Sequence, residues 1–166
     1  MTTLVDFQIR ELARTRGLVE PYEPEQQNPA SYDVTLGFKL LLETPKGEWQ
    51  EFDISKTTVH IAPGAFVLAC TAELIRVPDN LEAVFCLKSS RGREGYNHML
   101  AGYIDPGFHG RVTLEIHNCN RFRTLPMYAG LRIGQLRFSR LDDTPHRPYS
   151  LTGRYNNDDT TTPSKG

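Results

Sequence analysis

Two carboxylates stand ten residues apart in the stretch "AGYIDPGFHGRVTLEIHN", residues 101–118: Asp105 and Glu115. Val112, Leu114 and Ile116 alternate there with Thr113, Glu115 and His117, so the segment reads as a strand with Glu115 opposite the aliphatic face. On pattern alone that face is solvated, and Asp105, just before Pro106-Gly107, is a turn aspartate. If the face lines a cleft instead, partial desolvation raises the proton affinity of Glu115 and suits it to proton transfer. An aspartate held between Tyr103-Ile104 and a rigid Pro-Gly could then bind a sugar hydroxyl or a water.

A second group is "LKSSRGREG", residues 87–95, where Lys88, Arg91 and Arg93 crowd around Ser89, Ser90 and two glycines. Glycine lets backbone N–H groups approach an anion, serine adds donors, and arginine offers a fork matched to phosphate oxygens. The spacing is not that of a Walker loop. His60, His98, His109, His117 and His146 show no metal-ligand spacing with acids or cysteines, and each reads as structural or surface. The three cysteines, Cys70, Cys86 and Cys119, are scattered, which argues for a reducing compartment and against both a disulfide framework and a zinc site.

The 166 residues fit one domain, and 39% hydrophobic content lies well above a disordered composition. A formal net charge of −1 provides no global field for nucleic acid, so an anion must be gripped locally. The sequence shows neither a secretory h-region nor an apolar run long enough to span a bilayer, so the expectation is a soluble, cytoplasmic protein without a membrane or nucleic-acid partner.

Leu4, Val5, Ile9, Leu12 and Ala13 recur at helical spacing before Gly17, and Thr3 and Asp6 have capping-box spacing, which predicts a short N-terminal helix. Strands are predicted at "YDVTLGFKLLLE", "WQEFDI", "TVHIA", "AFVLACTAELIRV", "LEAVFCL", "RVTLEIHN" and "LRIGQLRFSRL", cut at "TPKG", "PG", "PDN", "DPGFHG" and "YAG". Many short strands without a βαβ pattern imply an all-β sandwich or barrel. The polar residues 151–166 read as a flexible tail after a domain at 1–150.

Taken in order, "NPASYDVTLG", "APGAFVLACTAELIRVPDNL", "KSSRGREG", "HMLAGYIDPGFHGRVTLEIHN" and "AGLRIGQLRF" resemble the motifs of the dCTP deaminase family, within the dUTPase-like superfamily. Lys88 stands where the family's Arg-Ser-Ser-x-x-Arg-x-Gly signature begins with arginine. The resemblance implies a distorted β-barrel or jelly roll, a homotrimer with sites at subunit interfaces, and deamination without zinc. It implies that Glu115 cycles protons between a water and the cytosine ring. Ser89 and the carbonyl of Ala101 would orient that water, and Arg93 would support the charge. Asp105 would contact the deoxyribose and position a hydrolytic water.

Lys88, Ser90, Gly102, Tyr103, Gln135, Tyr149 and Arg154 match substrate-binding positions, with Mg2+ bound through the nucleotide phosphates. Within the tail, "RYNNDDTTTPSK", residues 154–165, aligns with the family's closing segment, with Asp158 at a glutamine position and Thr160 at a glycine. Met99 and Leu100 replace small polar residues, and the chain is one residue short between Arg93 and His98. Gly102-Tyr103, in place of His-Arg, leans toward members that carry dCTP through dUTP to dUMP and pyrophosphate. The alternatives are a dUTP nucleotidohydrolase and a non-catalytic nucleotide-sensing trimer.

Overall fold

The computed structural model describes residues 2–98 and 101–166. Met99 and Leu100, the two replaced residues before Ala101, lie outside the described residues.

The chain opens with strand β1 (Thr2–Thr3), helix α1 (Asp6–Arg16), β2 (Val19–Glu20), a 3-10 turn at Pro24–Gln26 and β3 (Gln27–Asn28). Ile9 and Ala13 turn inward from α1, and Gly17 ends the helix in the left-handed conformation at φ 64°. The start differs from the expected Thr3–Asp6 box. Thr3 pairs with Ser139 across a strand ladder, and the Gln8 side chain accepts the Val5 N–H at 3.1 Å.

Then follow β4 (Ser31–Glu43), β5 (Trp49–Asp53), β6 (Val59–Ile61), β7 (Phe66–Thr71), β8 (Leu74–Arg76) and β9 (Leu81–Leu87). A short helix, α2 (Ser89–Glu94), precedes β10 (Tyr96–His98), β11 (Tyr103–Ile104), β12 (His109–Gly110) and β13 (Thr113–Asn118). The chain finishes with β14 (Leu125–Met127), β15 (Arg132–Arg140) and α3 (Tyr149–Thr152).

Most of these strands form one curled, half-barrel sheet in the order β10-β13-β7-β4-β15-β9-β11, with β1, β3 and β5 attached at its flanks. Small ladders β12-β8-β2 and β14-β6 complete it. The pairings are antiparallel, so alternate residues of each central strand face a core containing Val34, Leu36, Ala69, Leu114, Ile116, Leu136 and Phe138.

The predicted run "AFVLACTAELIRV" breaks at Ala72-Glu73 into β7 and β8. Glu73 is buried, and its carboxylate accepts the Thr35 N–H at 3.0 Å, the Thr35 hydroxyl at 2.9 Å and the Gln26 amide at 2.9 Å. Those three donors offset the cost of burying the charge. They also tie β4 and the 3-10 turn to the bend.

Candidate active site

Strand β13 carries Glu115 as the alternation predicts: Leu114 and Ile116 are buried, while Thr113, Glu115 and His117 are half-buried on the other face. Register places Glu115 opposite Leu68 and His117 opposite Phe66 on β7. Glu115, Leu68 and Phe66 all line a cavity of about 420 Å3. Ala101, Tyr103, Ile104 and Asp105 from the β11 segment line it too, as do Phe108, Arg111 and Thr113. Tyr149, Tyr155, Asp158, Thr162 and Ser164 form the remaining wall.

Burial pushes the Glu115 carboxyl above the ordinary glutamate range. Its Oε2 is buried without a hydrogen-bond partner, as is His98 Nε2, 3.9 Å away. Burial also holds the imidazole of His98 below its usual range, so the neighbour leaves Glu115 without a firm counter-cation. The His98 ring packs on Phe85 with centroids 4.6 Å apart. This contact was not legible in the sequence, where His98 carried no ligand spacing.

Gly102 is fixed by packing. A Cβ there would stand 2.6 Å from the Phe85 carbonyl oxygen, and the Phe85 N–H donates to Gly102 C=O at 2.7 Å. The next residue, Tyr103, donates its hydroxyl hydrogen to Glu82 at 3.0 Å; desolvation first, then that carboxylate, pushes the phenol up to about 12. Tyr103 is therefore a neutral apolar wall whose polar end is held outward. Asp105 is exposed on the cavity side, and its carbonyl accepts the Phe108 N–H across the Pro-Gly turn.

The cation cluster lies elsewhere. Ser89, Ser90 and Arg93 are exposed on α2, and none of them lines the cavity with Glu115. Lys88, at the start of α2, is ion-paired with the buried Asp33 of β4, whose other oxygen accepts the Asn28 amide at 2.8 Å. Its ammonium is thus already matched, and it anchors α2. Arg91 pairs with Glu94. Gln135 sits on β15 opposite Asp33 and accepts the Ser31 hydroxyl hydrogen at 2.6 Å, also away from the cavity.

The C-terminal segment packs on the body. Tyr149 stacks obliquely on Phe108 at 5.9 Å, and its hydroxyl accepts the Tyr155 N–H. Thr161 is buried and donates to the Lys39 carbonyl at 2.7 Å, while the Thr162 N–H donates to the Thr113 hydroxyl at 3.3 Å. Arg154 is exposed outside the cavity wall. The Asp158 carboxylate binds Lys165 at 2.8 and 3.0 Å, so the negative charge at this position has its own cation seven residues on. Spacing alone did not identify Arg111, whose guanidinium donates to the Thr71 and Ala72 carbonyls at the cavity edge.

A sequence profile of the dCTP deaminase-like family matches residues 3–141, and the chain belongs to that family. It is 38% identical over 174 residues to an Aquifex aeolicus protein named "dCTP deaminase, dUMP-forming", covering 98% of this chain and 93% of the relative. A Persephonella marina protein of the same name is 34% identical, with 98% and 96% covered.

Among solved structures, the 2'-deoxycytidine 5'-triphosphate deaminase of Agrobacterium tumefaciens superposes with a TM-score of 0.71 at 23% identity. That match covers 82% of this chain and 48% of the solved one. A dUTPase of phage phi11 of S. aureus, described with a structural Mg(II) ion, matches with a TM-score of 0.52 at 17% identity over 76% of this chain and 86% of its own. Both support the fold. Among the described residues, no helix is long and apolar enough to cross a membrane.

Proposed function

We propose that this chain deaminates dCTP and carries the product on to dUMP, releasing ammonia and pyrophosphate. The observation that carries the reading is Glu115: a desolvated carboxylate of raised proton affinity that shares with Asp105 a cavity of nucleoside size. The relatives' shared name supports the same substrate and end product.

In this reading Glu115 accepts a proton from a water as its oxygen attacks C4 of the cytosine ring. It returns that proton to ring N3 and then relays the remaining hydroxyl proton to the amino group, which the tetrahedral carbon expels as ammonia while C4=O forms: dCTP plus water gives dUTP plus ammonia. The Ala101 carbonyl orients the water from the same cavity. Asp105 holds the deoxyribose and positions a second water, which attacks the α-phosphorus and breaks the α–β bridge: dUTP plus water gives dUMP plus pyrophosphate. Tyr103, Tyr149 and the packed Gly102 wall the base and sugar.

Ser89, Ser90 and Arg93 are exposed beyond the cavity of their own chain, so in this reading a second copy supplies them, as in a homotrimer with shared sites. Lys88 serves there by fixing α2 through Asp33. Gln135 and Arg154 are assigned to substrate contacts that the closed assembly completes. In this reading Mg2+ would enter on the nucleotide, with phosphate oxygens as its ligands. When bound, it neutralises phosphate charge.

The test is to incubate the protein and Mg2+ with dCTP, resolve the nucleotides and measure ammonia and pyrophosphate. Equal ammonia, dUMP and pyrophosphate are expected. Accumulating dUTP would remove the second step, pyrophosphate release from dUTP alone would leave a nucleotidohydrolase, and binding without turnover would leave a sensor.

A further inference from the structure

A carboxylate that relays protons works best when its two oxygens have separate tasks. Glu115 Oε2 is buried, and among the described residues it has no hydrogen-bond partner. His98 Nε2, 3.9 Å away, is buried and unpartnered in the same way. His98 ends β10 and pairs with Ile116 in the ladder with β13, which brings it beside Glu115. Neither half of the proposed chemistry uses this ring.

The ring is wedged in place. His98 is 8% exposed, and its imidazole packs on Phe85 with centroids 4.6 Å apart and planes inclined at 50°. On the β11 side, a Cβ added to Gly102 would stand 3.3 Å from His98 Cε1. Phe85 and Gly102 are themselves joined, the Phe85 N–H donating to the Gly102 carbonyl at 2.7 Å. The imidazole therefore fills a slot between β9 and the β11 segment. An apolar ring would fill the same slot without burying an unpaired nitrogen, which is costly. A nitrogen in that place, next to an oxygen with the opposite need, marks a hydrogen bond that the working site makes.

The chemistry of the two groups fixes its direction. Burial favours the neutral imidazole. An ionised carboxylate only accepts, so Nε2 is the nitrogen that carries the hydrogen. The separation of 3.9 Å is about 1 Å beyond an N–H···O bond. Glu115 can turn about its side-chain torsions, whereas the packed ring cannot, so the carboxylate closes the gap. Hydrogen bonds within catalytic sites are often long without substrate and tighten when it binds.

We propose that His98 is a positioning residue for the deamination: its Nε2–H binds Glu115 Oε2 as the nucleotide enters, and so makes Oε1 the oxygen that takes the proton from the water and passes it on. This rests on the reading of Glu115 as the proton carrier and adds the group that orients it. Oε2 has no second donor among the described residues, so nothing there replaces Nε2–H once it is removed.

The test compares two substitutions in the full chain. His98→Gln keeps an N–H donor that can take the place of Nε2–H, and His98→Phe keeps the ring packed on Phe85 and removes the donor. With dCTP and Mg2+, His98→Phe is expected to lose about 10²-fold in kcat for ammonia release with KM little changed, the scale of a misplaced reacting group. His98→Met, a second donor-free variant, is expected to lose as much. His98→Gln is expected to recover most of the loss. A purely structural role predicts the opposite order, because phenylalanine is the better replacement for a packed ring. Added to Glu115→Ala, His98→Phe is expected to cost nothing further, as groups acting as one unit do. Pyrophosphate release from dUTP, followed in the same variants, reports that the cavity still accepts nucleotide.

Ammonia release by His98→Phe equal to that of the wild type would overturn the assignment and leave Glu115 in its role. A greater loss in His98→Gln than in His98→Phe would overturn it as well, and so would a further loss when His98→Phe is added to Glu115→Ala. If the wild type itself releases no ammonia from dCTP, the reading of Glu115 falls and the role of His98 falls with it.

Discussion

At the scale of single residues, the account turns on a glutamate that the fold makes uncomfortable. Desolvation raises the proton affinity of Glu115, so its charged form costs folding energy that its neutral form does not. For an acid whose folded-state proton affinity is raised, the stabilising form is the protonated one, present at low pH and lost as pH rises through the shifted range. Glu115→Gln is therefore expected to raise Tm at pH 8 and to leave it nearly unchanged at pH 4, which paired thermal melts can check. Activity runs the other way: the base form is required, so kcat of the wild type should fall as pH drops through that same raised range.

Asp105→Asn is expected to cut pyrophosphate release from dUTP about 10²–10⁴-fold, the usual range for a positioned acid–base group, and to reduce ammonia release from dCTP far less. Product ratios on the two substrates report this directly.

At the scale of elements, the packing of α2 and of the C-terminal segment decides whether the site can assemble. Asp33 has a 4% exposed side chain and Lys88 a 28% exposed one, so their pair is buried on one side only. Asp33→Ala should cost about 2–3 kcal/mol, somewhat less than breaking a fully buried pair, and should loosen the start of α2. Urea unfolding gives the first effect, and exchange of the Gly92 amide, which donates to the Lys88 carbonyl, gives the second. Gly110→Ala is expected to push the Asp158 backbone off β12 and raise KM for dCTP without changing the fold.

These elements also show what the sequence made legible. The alternation around Glu115 was readable because buried Leu114 and Ile116 pack with a strict period of two. The break at Glu73 was not, because it comes from a carboxylate turned inward to three donors on distant elements. Helix α2 has six residues and none of them is buried, so it had no apolar period to show. The pairing of Lys88 with Asp33 spans 55 positions, so no local pattern could show it. Residues 151–166 read as a tail because they dock through backbone hydrogen bonds and one buried threonine rather than through apolar surface.

At the scale of the whole molecule, one chain holds the acid–base half of the proposed site and displays the other half outward. Glu115, Ala101 and Asp105 share a cavity, while Ser89, Ser90 and Arg93 are exposed and do not line it. A shared-site assembly makes a strong demand on mixtures. Glu115→Gln and Ser89→Ala chains, each inactive alone, should regain about a quarter of wild-type activity when co-assembled in equal amounts, because that share of sites receives both intact halves. Absence of recovery after verified subunit exchange would place both halves in one chain.

The central claim, that Glu115 drives removal of the cytosine amino group, is tested most directly by giving Glu115→Gln both substrates in turn. The account predicts ammonia release from dCTP reduced about 10²–10⁴-fold, with pyrophosphate release from dUTP largely retained. Undiminished ammonia release from dCTP by Glu115→Gln would contradict it.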